Sequence, residues 1–257
     1  MAKIICIANQ KGGVGKTTTS VNLAASLAVA EKRTLLIDMD PQGNAGSGVG
    51  IDKAHLKTTV YHVLVDDAEP AGAILKTTIP FLDILPANAD LAGAELELVS
   101  FIGREMRLKR AIASLLGEYD YVLIDCPPSL GLLTINAMTA AESVLIPLQC
   151  EFYAMEGLSQ ILKTITLVKK GVNPSLKIEG ILLTMFDSRN NLSHQVGEEI
   201  RNHFKKETFS TVVPRNVRLS EAPSHGKPII LYDITSRGAA SYMNLAKEII
   251  SREVCHG

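Results

Sequence analysis

The sequence has few aromatic residues and no excess of charge of either sign. Phenylalanine, tyrosine and tryptophan make up 5% of the 257 residues, and tryptophan is absent. A surface that binds nucleic acid by stacking bases on aromatic rings therefore has little to build on. The formal net charge is −1, so the chain as a whole does not bind nucleic acid through bulk positive charge. Any such binding requires a local cluster of cations.

Cysteines and long apolar segments are also scarce. Cys6, Cys126, Cys150 and Cys255 form no CxxC pair and no cluster with histidine, which argues against a zinc site or a local redox pair. No run approaches about 18 apolar residues, so no transmembrane helix is predicted. The first eight residues indicate a strand and not a signal peptide. We expect a protein of the reduced cytoplasm.

Short apolar segments alternate with longer helical patterns along the whole chain. This alternation predicts an α/β fold, a mostly parallel twisted sheet with helices on both faces, in one domain spanning residues 1–257. The predicted strands are Lys3–Ala8, Thr34–Asp38, Leu82–Leu85, Tyr121–Asp125, Ser143–Pro147, Ile178–Thr184 and Thr211–Val213. The predicted helices are Thr17–Ala30, Leu91–Ser100, Glu105–Leu116, Leu130–Ala140, Ala154–Lys170, Leu192–Phe204 and Ala239–Glu253.

A glycine-rich segment, QKGGVGKT at residues 10–17, lies between the first strand and the first helix. Such a loop curls its backbone N–H groups around a phosphate, and the helix N-terminus adds positive potential. Lys16 is placed to reach the β- and γ-phosphates, Thr17 to hold Mg²⁺, and Thr18 to reach the α-phosphate. The strict GxxxxGK[ST] pattern fails only because Gln10 replaces its first glycine. The predicted phosphate-binding residues are Lys11, Gly12, Gly13, Val14, Gly15, Lys16, Thr17 and Thr18.

A second lysine, Lys11, lies inside this loop. A side chain at that position cannot easily fold back onto the γ-phosphate of its own subunit. It is better placed to reach a nucleotide bound by a facing subunit, as an arginine finger does in phosphoryl transfer. We therefore predict a catalytic role for Lys11 across a homodimer.

These motifs resemble the ParA/MinD group of P-loop ATPases, in which the extra lysine marks a deviant Walker A motif. The segment 35–44 resembles that group's switch after the second strand, and 119–128 resembles its Walker B strand and turn. The segment 214–223, PRNVRLSEAP, resembles a late stretch of the chromosomal, Soj-type ParA proteins. The length and the lack of an N-terminal DNA-binding extension also resemble that short subgroup.

Three carboxylates end two of the predicted strands. Asp125 ends an apolar strand, where it can hold Mg²⁺ through a water molecule. Asp40 leaves the second strand at the edge where the γ-phosphate is expected, and the resemblance implies that it orients the attacking water. Asp38 is predicted to be structural or to support the residues that contact the nucleotide.

The base of the nucleotide is expected at another loop. The resemblance implies that Pro214 and Asn216 border the adenine, and Thr184–Asp187 also ends a strand near it. Glu151 occupies a position typical of the family, but the sequence gives no role for it.

Positive charge is concentrated in the second half of the chain. Residues 1–150 carry 12 Lys and Arg against 16 Asp and Glu, whereas residues 151–257 carry 14 against 11. The resemblance implies that Arg189 and Arg218 contact DNA. Contacts to phosphates alone make such binding independent of sequence and sensitive to salt.

The resulting prediction is a cytoplasmic ATPase that uses ATP and Mg²⁺ and dimerises with ATP. In the ATP state it would bind double-stranded DNA non-specifically on the nucleoid, and a ParB-type partner would stimulate hydrolysis during chromosome or plasmid segregation. The first alternative is a MinD-like switch at the membrane, although the charge-balanced tail, 246–257, is a poor match to a membrane-lying helix. An iron–sulfur carrier or a nitrogenase-like reductase, and a small-molecule kinase or synthetase of the same fold, are further alternatives.

Overall fold

The structure, a computed structural model, describes residues 2–254, so Cys255 and the end of the predicted tail lie outside the described residues. Within this range the strands form an eight-stranded sheet in the order β3-β4-β2-β5-β1-β6-β7-β8. The strands are β1 (Lys3–Ile7), β2 (Thr34–Asp38), β3 (Leu75–Lys76), β4 (Leu82–Leu85), β5 (Tyr121–Asp125), β6 (Ser143–Gln149), β7 (Lys177–Phe186) and β8 (Thr208–Pro214). Neighbouring strands are parallel except β3 and β4, which are antiparallel. The predicted α/β class with a mostly parallel sheet is confirmed.

Helices cover both faces of this sheet. They are α1 (Lys16–Val29), α2 (Asn44–Gly48), α3 (Val60–Val65), α4 (Leu91–Glu97), α5 (Arg107–Ile112), α6 (Leu132–Ala140), α7 (Ala154–Gly171), α8 (Asn191–His203), α9 (Val217–Glu221), α10 (Ile229–Tyr232) and α11 (Arg237–Val254). The alternation of side chains along β1 separates the two cores, because successive residues of a strand point to opposite faces. Ile4 and Cys6 pack into the core that α3 to α8 cover. Ile5 and Ile7 pack into the core that α1 and α11 cover.

The predicted elements differ from the observed ones in length and in number. The predicted helix Glu105–Leu116 is divided, because 3₁₀ turns at Arg104–Met106 and Ala113–Leu115 flank α5. Four short helices, α2, α3, α9 and α10, and the two-residue strand β3 were not predicted. Elements of two to six residues are too short to show a hydrophobic period.

The carboxyl ends of the central strands meet at one edge of the sheet. In the strand register, Asp125 of β5 lies beside Ile7 at the end of β1 and beside Asp38 at the end of β2. Because β1 is followed directly by the glycine-rich loop, the loop and these carboxylates share this edge. Ligands of open α/β sheets bind at such an edge.

Candidate nucleotide-binding site

The loop that connects β1 to α1 has the backbone of an anion site. Gly13 and Gly15 have φ of 75° and 86°, which side chains with a Cβ rarely adopt. Gly15 is the N-cap of α1, no side chain caps this helix, and its first turn contains no acidic residue. The N-terminal N–H groups of α1 are therefore available to a phosphate. Val14 is buried, and its carbonyl accepts a hydrogen bond from Thr184 Oγ1 at 2.8 Å, which ties the loop to β7.

Lys16 lies over this loop. Its side chain is largely buried, and Nζ donates a hydrogen bond to the Lys11 carbonyl oxygen at 3.1 Å. Burial lowers the pKa of Lys16, and the nearby carboxylate of Asp125 opposes that effect. The lysine thus brings a cation to the concave side of the loop. Thr17 and Thr18, the next residues of α1, are half-buried beside it.

Asp125 has one satisfied oxygen and one that is free for a ligand. Its Oδ1 accepts a hydrogen bond from Ser20 Oγ at 2.7 Å, whereas Oδ2 is buried without a hydrogen-bond partner among residues 2–254. Burial raises the pKa of Asp125, and the nearby hydroxyls of Ser20 and Thr17 oppose that rise. Sequence reasoning missed Ser20, although it lies four residues after Lys16 and therefore on the same side of α1.

The two aspartates after β2 have different environments. Asp38 is fully buried and accepts three backbone N–H bonds, from Asp40 at 3.0 Å, Ala45 at 3.0 Å and Gly46 at 3.2 Å. It therefore fixes the turn and the start of α2. Burial, followed by repulsion from Asp125, raises the pKa of Asp38. Asp40 is 9% exposed, and within residues 2–254 its side chain accepts one hydrogen bond, from the Gln42 N–H to Oδ1 at 2.9 Å.

Carboxylates outnumber cations at this edge of the sheet. Three buried aspartates, Asp38, Asp40 and Asp125, lie at this edge, and the ammonium of Lys16 is attracted to two of them, Asp125 and Asp40. Carboxylate and hydroxyl oxygens suit a hard divalent cation such as Mg²⁺, and a cation bound beside Asp125 would relieve the repulsion among the carboxylates. The free Oδ2 of Asp125 and the hydroxyl of Thr17 are the groups that fit it.

Lys11 is held away from the concave side of its own loop. Its ammonium forms an ion pair with Glu151, which follows the end of β6. Asn9 supports this conformation, because its Oδ1 accepts the Lys11 N–H at 3.0 Å and its Nδ2 donates to the Pro147 carbonyl at 2.7 Å. Glu151, to which sequence reasoning assigned no role, is therefore the residue that positions Lys11.

The loops expected to border the base lie side by side. Pro214 at the end of β8 pairs with Phe186 at the end of β7. Asn216 caps α9 by accepting the Arg218 N–H at 2.8 Å. Met185 has a φ of 48°, and its side chain lies 3.9 Å from the position that a Cβ on Gly15 would occupy. The structure thus brings the end of β7 to both the glycine-rich loop and the segment 214–216.

The two predicted DNA-contacting arginines lie after neighbouring strands, at the same edge of the sheet. The Arg189 side chain is 86% exposed and donates two hydrogen bonds of 3.0 Å to Asp187. This contact lowers the pKa of Asp187 to about 2. The half-exposed Arg218 pairs with Glu221 at 2.9 Å and with Asp233 at 3.5 Å. Both arginines are thus exposed and paired with carboxylates of their own chain.

Cys6, Cys126 and Cys150 are buried and free. Among the described residues, no group of three or more His, Cys, Asp or Glu side chains is placed to hold a metal ion. No helix within residues 2–254 is long and apolar enough to cross a membrane.

The sheet is mostly parallel, and a glycine-rich loop leads from its central strand β1 into a helix that starts with Lys16. These two features define the class of P-loop nucleotide-binding proteins. Comparisons with known proteins narrow this class. The profile of a family described as "AAA domain" matches residues 2–178. The chromosome partitioning protein ParA of Myxococcus xanthus is 62% identical over 253 residues, which cover 98% of this chain and 89% of that protein. The sporulation initiation inhibitor protein Soj of Bacillus subtilis is 63% identical over 249 residues, covering 97% and 98%.

Comparison of the fold with solved structures also finds nucleotide-binding proteins. A crystal structure of cobyrinic acid a,c-diamide synthase from Mycobacterium smegmatis, with a bound ATP analog and magnesium, has a TM-score of 0.84 and 41% identity, covering 96% of this chain and 93% of that chain. The chain belongs to the ParA/Soj group of P-loop ATPases.

Proposed function

We propose that this chain is a single-domain ATPase switch, spanning residues 1–257, that drives chromosome or plasmid segregation. The observation that carries the proposal is the shared edge of the sheet. Lys16, the free oxygen of Asp125 and the uncapped start of α1 converge there, while Lys11 of the same loop is directed elsewhere.

ATP is the proposed substrate, and ADP and phosphate are the products. The loop 11–17 binds the phosphates with its backbone N–H groups, Lys16 and the hydroxyl of Thr18, and Pro214 and Asn216 border the adenine. Thr17, and Asp125 through water, hold Mg²⁺, which when bound neutralises charge on the β- and γ-phosphates. The free Oδ2 of Asp125 supports this assignment.

Hydrolysis requires two further groups. Asp40 orients the attacking water, since its carboxylate lies at the same edge and, among the residues that the structure describes, accepts a single hydrogen bond, from the Gln42 N–H. Lys11 acts on the nucleotide of the facing subunit in an ATP-bound homodimer, where a cation from outside the site stabilises charge that develops during phosphoryl transfer.

DNA binding is the proposed readout of the ATP state. One subunit offers Arg189 and Arg218, and pairing two subunits doubles the number of phosphate contacts on one duplex. The ion pairs of both arginines are solvent-exposed and contribute little stability, so phosphate oxygens can replace the carboxylates. A ParB-type protein is the proposed partner that stimulates hydrolysis, and the protein is cytoplasmic and associated with the nucleoid when ATP is bound.

DNA co-sedimentation with ATP, with ADP and without nucleotide, beside a liposome control, tests this function. We expect DNA to sediment the protein only with ATP, and liposomes not to sediment it. DNA binding that is the same in all three nucleotide states would contradict the switch. ATP-dependent binding to liposomes in place of DNA would favour the MinD-like alternative.

A further inference from the structure

The turn that follows Asp125 contains two consecutive prolines. Cys126 starts the turn, and its backbone N–H donates a hydrogen bond to the Ile7 carbonyl at 3.2 Å. The next two residues, Pro127 and Pro128, have no N–H to donate. Because this turn joins the carboxylate that is proposed to hold Mg²⁺ to α6, its contacts with the rest of the chain decide where that carboxylate lies.

The turn ends at Gly131, the N-cap of α6. Its φ is −81°, a value that residues with a Cβ adopt freely, so the backbone conformation does not require glycine here. No side chain caps this nine-residue helix, and its first turn contains no acidic residue. The N–H groups at the start of α6, and the positive end of its dipole, therefore find no carboxylate within the helix itself.

The carboxylate of Glu95, on α4, occupies the space beside Gly131. A Cβ built on Gly131 would overlap Glu95 Oε1 and would lie 2.8 Å from Glu95 Cδ. Oε1 is buried and has no hydrogen-bond partner among residues 2–254. The glycine thus makes room for a carboxylate that comes from a different helix. A negative charge at a helix N-terminus is stabilising, and burial from water strengthens such an interaction.

We propose that Glu95 is a positioning residue for ATP hydrolysis. Its carboxylate holds the start of α6 and, through the turn 126–131, the carboxylate of Asp125. The inference rests on the proposed function, because it assigns Glu95 to the site in which Asp125 holds Mg²⁺. Glu95 lies outside the motifs of the sequence, and only the packing of α4 against Gly131 brings it to this turn.

Loss of this contact should lower the rate of hydrolysis and leave the affinity for ATP almost unchanged. The phosphates are bound by the loop 11–17, which is anchored to β7 by the hydrogen bond from Thr184 to Val14 and not through α4 or α6. A displaced Asp125 changes the geometry of the reacting groups, and a displacement of about 1 Å is enough to slow a chemical step.

The test compares the steady-state ATPase kinetics of Glu95→Ala, Gly131→Ala and the double variant with those of the wild type. Gly131→Ala keeps Glu95 in the chain but displaces its carboxylate, since the new Cβ takes its place. Glu97→Ala is the matched control, because Glu97 is exposed on the same helix and accepts a hydrogen bond from Tyr61. Calorimetry with a non-hydrolysable ATP analogue reports whether each variant is folded.

We expect kcat to fall at least about fivefold in both single variants, with KM within about twofold of the wild type. The double variant should be no slower than either single variant, because the atoms that the Cβ at position 131 displaces are then absent. Amide hydrogen exchange of residues 129–134 should be faster in all three variants, since the start of α6 is less well held. Glu97→Ala should match the wild type in every measurement.

The other outcomes contradict the inference and separate it from the proposed function. Wild-type kcat and wild-type exchange in Glu95→Ala would overturn it while leaving the ATPase intact. An equal loss in Glu97→Ala would also overturn it, because the effect would then follow from any change in α4. A double variant much slower than both single variants would show that Glu95 and Gly131 act independently. A wild-type protein that hydrolyses no ATP would contradict the proposed function, and the inference with it.

Discussion

Replacing Glu151 with glutamine should strengthen ATP-dependent dimerisation. In the monomer, the carboxylate of Glu151 holds the ammonium of Lys11 in its own subunit. Lys11 must leave this ion pair before it can approach a facing nucleotide. Because glutamine carries no charge, Glu151→Gln removes that competing interaction from each subunit and leaves the loop backbone unchanged.

The size of the effect follows from the exposure of the pair. The Lys11 and Glu151 side chains are 37% and 46% exposed, so solvent screens their attraction, and such pairs contribute about 0.2–1 kcal/mol. A dimer breaks two of them, and the total of about 0.4–2 kcal/mol corresponds to a roughly 2- to 30-fold tighter dimer. The affinity for ATP should not change, since Glu151 contacts the side chain of Lys11 and not the phosphate-binding backbone.

Sedimentation velocity over a series of protein concentrations, with a non-hydrolysable ATP analogue, measures this shift. Glu118→Gln is the matched control, because it makes the same charge change in the exposed turn before β5, at the far edge of the sheet. A dimerisation constant of Glu151→Gln equal to that of the wild type, or weaker, would refute the competition between Glu151 and the second subunit.

Three other substitutions test separate parts of the site. Lys16→Ala should weaken ATP binding about 30-fold or more in calorimetry, because a largely buried cation facing the phosphates contributes about 2 kcal/mol or more to the binding free energy. An ATP affinity equal to that of the wild type would contradict the assignment of the phosphate site. Asp40→Ala should bind ATP but hydrolyse it about 10²-fold or more slowly, so that dimers accumulate in light scattering with ATP; a purely monomeric protein would contradict this role. Arg189→Glu and Arg218→Glu should each weaken binding to all DNA sequences alike and leave dimerisation intact. The slope of log K against log salt concentration should fall in magnitude by about 1 per lost phosphate contact. DNA binding equal to that of the wild type at several salt concentrations would show that these arginines do not contact DNA.

The sequence predicts the central strands and the glycine-rich loop because their signals are local. Buried strands such as β5 are continuous apolar segments, and the loop motif is contained in residues 10–17. The order of the strands is not local information, and it alone brings Asp38 and Asp125 into register at one edge. Long-range pairs are missed for the same reason, since Lys11 and Glu151 are separated by 140 positions along the chain.

The charged groups that surround a given side chain are equally hard to predict from the sequence. The resemblance implies that Arg189 and Arg218 contact DNA, but only the structure shows that each arginine is paired with a nearby acid. Two charged residues that are close in sequence form an ion pair only if their side chains adopt suitable conformations in the loops that follow β7 and β8. Ser20 was also missed, although its spacing of four residues from Lys16 is a helical signal that could have found it.

The most direct test of the central claim, that ATP is hydrolysed across a dimer by Lys11, is the ATPase rate per subunit as a function of protein concentration. For the wild type, we expect this rate to rise with concentration and to level off once dimers predominate. Lys11→Ala should bind ATP with wild-type affinity but hydrolyse it at a low rate that does not depend on concentration. A Lys11→Ala rate equal to that of the wild type at every concentration would contradict the account.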